Sequence, residues 1–529
     1  MDLFSTPSPQ SQGSPTVRRR STAEAFEAAS KTNENVDDTT TDVFEQLCEP
    51  TPSVRLLTGI VNPPISEHGP SAVYYVCSDF HGRPMGKLCP VEKKGALIIN
   101  SVYLCPQVYL CLPNPKSMVF CDDNFVGSGF PNASMLPDRH TLSPWLGGGY
   151  RILCDVEPEL SPRGLCRKML QTFKKETNMG VMSAFEYEFF LGKLTAEKKF
   201  EPAFGLDCYG IHTLSSVRPF VDRLIAECSK MTPPITLTTV ETDYGRGQLE
   251  TPLSKAAGIN AADNAFTLKH LIKQLARDEF DQLATFTSKV SFDSLNSGCA
   301  SGGHFNFSLF PFTSGASKVK SSKGSKGYAP QVEPEKQAHF IAGVLEHCSA
   351  LAAVCSPSPP CYHRRGQWSP TKNNYGFEDR SACIRGKRDN LPEGEGVNKY
   401  FELRLPSSAA NPYLVLCAVV AAGLDGIRRK TKIVEGKATP KSLGEALDAL
   451  EADPVVCEAL GARFVKAYVA VKRAEIDEVK WRVTHEKTTL EEAYAEIGDI
   501  SSFTACMNGA EAPLDDDISP ARKCGFCMG

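Results

Sequence analysis

The chain has 529 residues, with 58 Lys and Arg against 62 Asp and Glu, which is long for one hydrophobic core and too evenly charged to hold a phosphate backbone or an anionic membrane by its field. Two or more folded domains are expected, and nucleic acid is excluded as a main partner. The longest apolar run, Tyr413 to Leu424, stops at Asp425, well short of the roughly 20 residues that cross a bilayer, so a soluble protein with no membrane partner is expected.

Residues 1–52 are rich in Ser, Thr and Pro with little apolar periodicity, and read as a disordered arm. Arg18, Arg19 and Arg20 beside Ser21 and Thr22 form a basic cluster there, either a solvated patch or a docking or phosphorylation site. The start has no apolar h-region, so the 20 Cys are expected as reduced thiols in a cytoplasmic protein. Cys524 and Cys527 have the spacing of half a zinc site, but no second pair lies nearby and they read as an incidental tail.

From 53 to 145, short β-branched and aromatic runs (SAVYYVCSDF, GALIIN, SVYLCPQVYLCL) between Gly, Pro and Asn turns predict a small β-rich domain. Gly147 to Gly149 read as a hinge, with Trp145 packing between domains. From 146 to 510, strand-like runs (RILCDV, MSAFEYEFFL, HFNFSLF) alternate with helical patterns such as NAADNAFTLKHLIKQLARDEF, as in a larger α+β or α/β domain. Thr313 to Gly327 reads as a mobile surface loop, and 511–529 as a flexible tail.

The chemistry lies in the larger domain. In MSAFEYEFFLG the strand period of two places Glu186 and Glu188 on one face, where two close carboxylates in an apolar strand need a cation between them; a plain solvent-exposed face is the alternative. ETDYGRGQLETP adds Glu241, Asp243 and Glu250. ASGGHFNFSLF places His304 on a strand, and KYFELRLP places Glu402 and Arg404 on one strand face. An oxygen-rich set with at most one imidazole suits Mg²⁺ or Mn²⁺ rather than zinc. Arg364, Arg380 and Arg385 follow in short succession, and guanidiniums beside a divalent ion describe phosphoryl transfer. No P-loop or GxGxxG opens a helix.

In order and spacing, residues 53–510 resemble the class I glutamine synthetase superfamily, most specifically in FELRLPSSAANPYLVLCAVVAAGLDGI. INAADNAFTLKHLIKQLARDEF and NPYLVLCAVVAAGLDGI look most like the lengsin branch. The resemblance implies an α+β fold, with a small β-grasp-like domain before a large glutamine synthetase catalytic domain of α/β barrel-like build. It implies Glu188, Asp243 and Glu250 as ligands of a first metal, and Glu186, His304 and Glu402 as the set for a second metal that holds the nucleotide phosphates. Arg364, Arg404 and Gly303 would bind the substrate, Ser308, Arg380 and Arg385 the ATP. Arg364 and Arg380 would act in catalysis with Asp79, which in the family reaches into a neighbouring subunit's site. A homo-oligomer, ring-shaped in the family, is therefore implied.

The chain also departs from the family pattern. Asp243 stands where the family has glutamate, with Glu241 two residues earlier. Cys299 and Ala300 replace an Asn-Gly pair that binds glutamate. In RRGQWSP, Gln367 or Trp368 stands where the family's flap carries its catalytic glutamate, and neither side chain is a carboxylate base. Two readings stand: an ATP-dependent glutamate-ammonia or glutamate-amine ligase using Mg²⁺ or Mn²⁺, and a catalytically weak lengsin-like structural or chaperone-like oligomer with possible intermediate-filament partners.

Overall fold

The computed structural model describes residues 59–61, 72–90, 97–99, 102–110, 131–156, 161–195, 199–290, 299–312, 332–366, 369–387, 400–490 and 492–493. The arm with Arg18 to Arg20, the Thr313–Gly327 segment, Gln367 and Trp368, and the tail with Cys524 and Cys527 lie outside them. All the described residues belong to one compact unit beginning at Cys48.

Five strands, β1 (Ala72–Ser78), β2 (Pro84–Pro90), β3 (Val102–Leu104), β4 (Ala133–Trp145) and β5 (Gly149–Val156), form a sheet in the order β2-β1-β5-β4-β3. RILCDV is thus the last strand of this first sheet and not part of the larger domain. Gly147 and Gly148, expected as a hinge, are the tight turn between β4 and β5. Both sit at positive φ, 80° and 88°, and Gly148 N–H donates to Trp145 O, closing a three-residue loop, Leu146 to Gly148, whose left-handed positions glycine supplies without strain. Trp145 does pack across to the larger sheet's helices: its indole N–H donates to Gln274, and its ring lies against His270.

The second sheet has ten strands among the described residues. Its path runs through β6 (Met179–Leu194), β7 (Glu241–Thr242), β8 (Gln248–Pro252), β9 (Gly303–Pro311), β10 (Tyr375–Phe377), β11 (Ile384–Lys387) and β12 (Tyr400–Leu403), in the order β7-β8-β6-β9-β12-β11-β10. One face of β6 buries Phe185, Tyr187 and Phe189, and Phe185 packs at a tilt against Phe305 of β9. The other face turns its carboxylates toward a cavity.

Helices α1 (Pro162–Thr177), α2 (Ile259–Phe280), α3 (Pro334–Glu346), α4 (Pro412–Arg429) and α5 (Ala462–Trp481) surround that core. Ser161 caps α1 by accepting from Gly164 N–H, and Asn411 caps α4 by accepting from Tyr413 N–H, each with Pro in the first turn, where its missing N–H costs nothing. α4 is apolar all round and buried from Pro412 to Gly426, which makes it the central core helix. Among the described residues no single helix is long and apolar enough to cross a membrane, and no cysteine forms a disulfide.

Candidate active site

Strand register assembles the site. On β6, Glu188 lies opposite Glu250 of β8, which lies opposite Glu241 of β7; Glu186 lies opposite His304 of β9. On β12, Glu402 lies between Asn306 of β9 and Arg385 of β11. Directly opposed residues of antiparallel strands share a face, so the ladder gathers these groups onto one side of the sheet. They line a cavity of about 410 Å³ whose wall also holds Asp243, Arg364, Arg380, Arg404, Cys299 and Ala300.

The carboxylates form two triads. Glu188, Asp243 and Glu250 can bring one oxygen each within 4.8 Å of one another, and so can Glu186, Glu402 and a ring nitrogen of His304. Glu241 lines the same cavity without joining either triad, and Asp243 is the one that does. Burial, reinforced by the charge on Glu188, pushes Asp243 up to about 7 and Glu250 up to about 9. Like charges this close favour protonation unless a cation sits among them. Hydrogen bonds do not relieve the crowding: Glu188 accepts from Gln248 Nε2 at 2.9 Å and from Gly302 N–H at 2.9 Å, both neutral donors. The oxygen donors and their uncompensated charge fit a hard divalent ion.

The second triad is electrostatically different. Glu402 accepts from Arg404 Nη1 at 2.6 Å and Arg385 Nη1 at 3.2 Å, and His304 Nδ1 lies 3.2 Å from it. Lys387 Nζ stands 3.1 Å from Glu186 and 3.2 Å from Glu402. Although burial opposes it, His304, Lys387 and Arg404 hold Glu402 far below the usual carboxylate range. His304 Nε2 is buried and has no hydrogen-bond partner.

The arginines take distinct stations. Arg364 is buried, its Nη1 donates to Pro406 O at 3.1 Å, and burial lowers its pKa to about 10. Arg380 is exposed on the cavity wall, and Arg385 also pairs with Glu378 at 2.7 Å. Three expected residues stand elsewhere. Gly303 turns its N–H to Pro406 O, whereas a Cβ at Gly302 would meet Glu188 Oε1 at 2.6 Å and His304 Nε2 at 2.8 Å, so Gly302 is the glycine that the cluster requires. Ser308 lies on β9 opposite Met182, beyond the cavity lining. Asp79 does not reach outward: its buried carboxylate accepts from His81 N–H, Arg83 N–H and Arg83 Nε, so its own turn consumes the charge.

Sequence reading missed Lys387, Gln248, Tyr209 and Tyr244 on the cavity wall. Gln248 carried a signal, since two residues before Glu250 on a strand is the same face. Lys387 carried little, because a lysine at a strand end ordinarily marks a solvated edge.

A mixed α/β fold thus gathers two acidic triads and a guanidinium cluster in one cavity. The family model "Glutamine synthetase, catalytic domain" matches residues 159–490, and the chain belongs to that family, which uses ATP and divalent metal ions on small-molecule substrates. The chain is 28% identical to human lengsin over 440 residues, covering 77% of this chain and 80% of lengsin. It is 31% identical to glutamine synthetase of Pyrococcus abyssi over 370 residues, covering 64% and 77%. Among solved structures, apo GmaS without ligand superposes with TM-score 0.62 at 24% identity over 80% of this chain and 97% of that one. A glutamine synthase homolog superposes with TM-score 0.63 at 21% identity over 82% and 99%.

Proposed function

We propose that the protein is an ATP-dependent carboxylate-amine ligase of glutamine synthetase type. The observation that carries this reading is the Glu188–Asp243–Glu250 triad, three crowded carboxylates that need a cation, set in one cavity with Arg364, Arg380, Arg385 and Arg404. A divalent ion held by that triad, Mg²⁺ or Mn²⁺ by donor chemistry, would neutralise charge on a transferring phosphoryl group.

The residues divide the remaining work. Arg364 and Arg404, both buried, receive the acid's carboxylates, and Arg380 and Arg385 face the ATP phosphates. A carboxylate oxygen of the acid, glutamate in the simplest case, attacks the γ-phosphorus; ADP leaves and an acyl phosphate forms. Ammonia or another amine then attacks the carbonyl carbon, and phosphate departs with its C–O bond electrons while the amine releases a proton. With Cys299 and Ala300 in the wall, and Tyr209 and Tyr244 beside them, the pocket suits an amine larger than ammonia.

One observation favours the second reading, a catalytically weak lengsin-like oligomer: the carboxylate of Asp79 is spent inside its own turn and leaves no charge to offer an ammonium ion. Phosphate release from Mg²⁺-ATP, assayed with glutamate, ammonia and a panel of amines, separates the two. Release that needs both acid and amine and disappears in Glu186→Ala establishes the ligase, and no release under any combination leaves the structural reading.

A further inference from the structure

We infer that Lys387 is a built-in cation that takes the place of the second divalent ion, so that this chain holds one metal ion per subunit, at Glu188, Asp243 and Glu250. The inference rests on the ligase reading and sharpens it, because it sets what the nucleotide end of the cavity offers to phosphates.

Arg385 and Lys387 are two residues apart on β11, so both point at the cavity face, and Arg385 is paired with Glu402. Lys387 Nζ thereby reaches Glu186 Oε1 at 3.1 Å, Glu402 Oε2 at 3.2 Å and Asn306 Oδ1 at 3.4 Å. The two carboxylate oxygens belong to residues that the second triad would use for a metal. The ammonium is largely enclosed, its side chain 13% exposed, and it lies 5.4 Å from the ring centre of Tyr400.

Charge decides the contrast between the triads. Around Glu186 and Glu402 stand Lys387, Arg404 and Arg385, the last shared with the exposed Glu378, and Asn306 Nδ2 donates to Glu186 at 2.8 Å. A divalent ion entering there must displace the ammonium or sit beside it, against repulsion that a buried setting strengthens. Around Glu188, Asp243 and Glu250 the hydrogen bonds come from neutral donors, and Arg364, whose charge acts on Glu188, is one guanidinium beside three carboxylates, so a divalent ion meets a deficit of positive charge. The two triads therefore do not fit the same occupant. The first fits a metal, and the second already holds its counterion.

The test is Mn²⁺ binding to the metal-stripped full-length protein, followed by electron paramagnetic resonance of free Mn²⁺ and needing no turnover. The wild type is expected to bind one Mn²⁺ per chain. Glu250→Gln is expected to lose it and Glu186→Gln to keep it. Lys387→Met is expected to bind a second Mn²⁺ at least tenfold more tightly than the wild type does. Two Mn²⁺ per wild-type chain of comparable affinity would overturn the inference and leave the ligase reading standing. No Mn²⁺ at all would overturn both. The wild-type stoichiometry decides the matter even where a variant does not fold.

Discussion

At the scale of single residues, Glu250 shows how the site trades stability for binding. It lies opposite Glu188 on the adjacent strand, and like charges directly opposed across a ladder destabilise it. Without metal that crowding holds Glu250 up at about 9, so at neutral pH the folded chain keeps a proton there that the unfolded chain gives up, a cost that Glu250→Gln removes with little change of shape. The metal-free variant is expected to unfold a few degrees higher than the metal-free wild type, about 1 kcal/mol of stabilisation in a chain this size. It should also lose Mn²⁺ affinity and ligase turnover by at least about 100-fold, since a charged ligand is gone. Calorimetry with and without Mn²⁺ checks both signs, and a lower midpoint in the metal-free variant would refute the repulsion. The period of two put Glu186 and Glu188 on one face of an aromatic-rich strand but left a solvent-exposed face open, and it was the resemblance in order and spacing that joined them with Glu250, His304 and Glu402. Lys387 was not legible, since its importance comes from β11 lying beside β12, a pairing that local pattern does not reveal.

At the scale of elements, the junctions between helices are set by polar side chains that sequence reading passed over. His347 ends α3 and starts the next helix, Cys348–Cys355. Its Nδ1 lies 2.6 Å from Asp453, which caps the Pro454–Leu460 helix, and its Nε2 lies 3.0 Å from Asp425 of α4. Glu346, His347 and Asp425 also have the composition of a metal site, but Arg429 already pairs with Glu346 and Asp425 at 2.6 Å each. Burial would lower the pKa of His347, and the two aspartates outweigh it and raise the value. A raised folded-state value means that the stabilisation is complete below the ordinary imidazole value of about 6.5 and is lost as pH climbs through the folded one. Asp425 and Asp453 are held low, so their share is present above the ordinary carboxylate value of about 4 and fades in acid. His347→Gln is therefore expected to cost about 1–3 kcal/mol near pH 6 and clearly less at pH 9. Urea unfolding at the two pH values checks this, and a cost independent of pH would rule out the charged imidazole. Strand runs and the long helices were readable from periodicity, but the Gly147–Gly148 turn was mistaken for a hinge because paired glycines signal both and only the pairing of β4 with β5 distinguishes them.

At the scale of the molecule, the first sheet is joined to the catalytic layers by one buried charge network. Arg163 of α1, fully enclosed, donates to Asp138 of β4 at 2.7 Å, to Asp155 of β5 at 3.2 Å, and through two nitrogens to Asp263 of α2 at 2.8 Å. Tyr413 of α4 adds a hydrogen bond to Asp263 at 2.7 Å, and Arg167 shares Asp138 at 2.9 Å. One guanidinium thus pins two strands of the small sheet to three core helices, which explains why the described residues from both sheets behave as one compact unit where composition suggested a hinge. The energetic consequence follows from desolvation: a buried pair adds little net stability over apolar packing, but removing one partner strands the other charges. Arg163→Met is expected to lose about 3–5 kcal/mol of unfolding free energy. Replacing two of the three surrounding carboxylates as well, in Arg163→Met with Asp138→Asn and Asp263→Asn, is expected to recover part of that loss, because only Asp155 of the stranded charges then remains, and Arg167 lies 3.4 Å from it. Equilibrium unfolding of the single and triple variants measures the difference. If the single variant costs under about 1 kcal/mol, the tie between the sheets lies in apolar packing around α4 and not in this network.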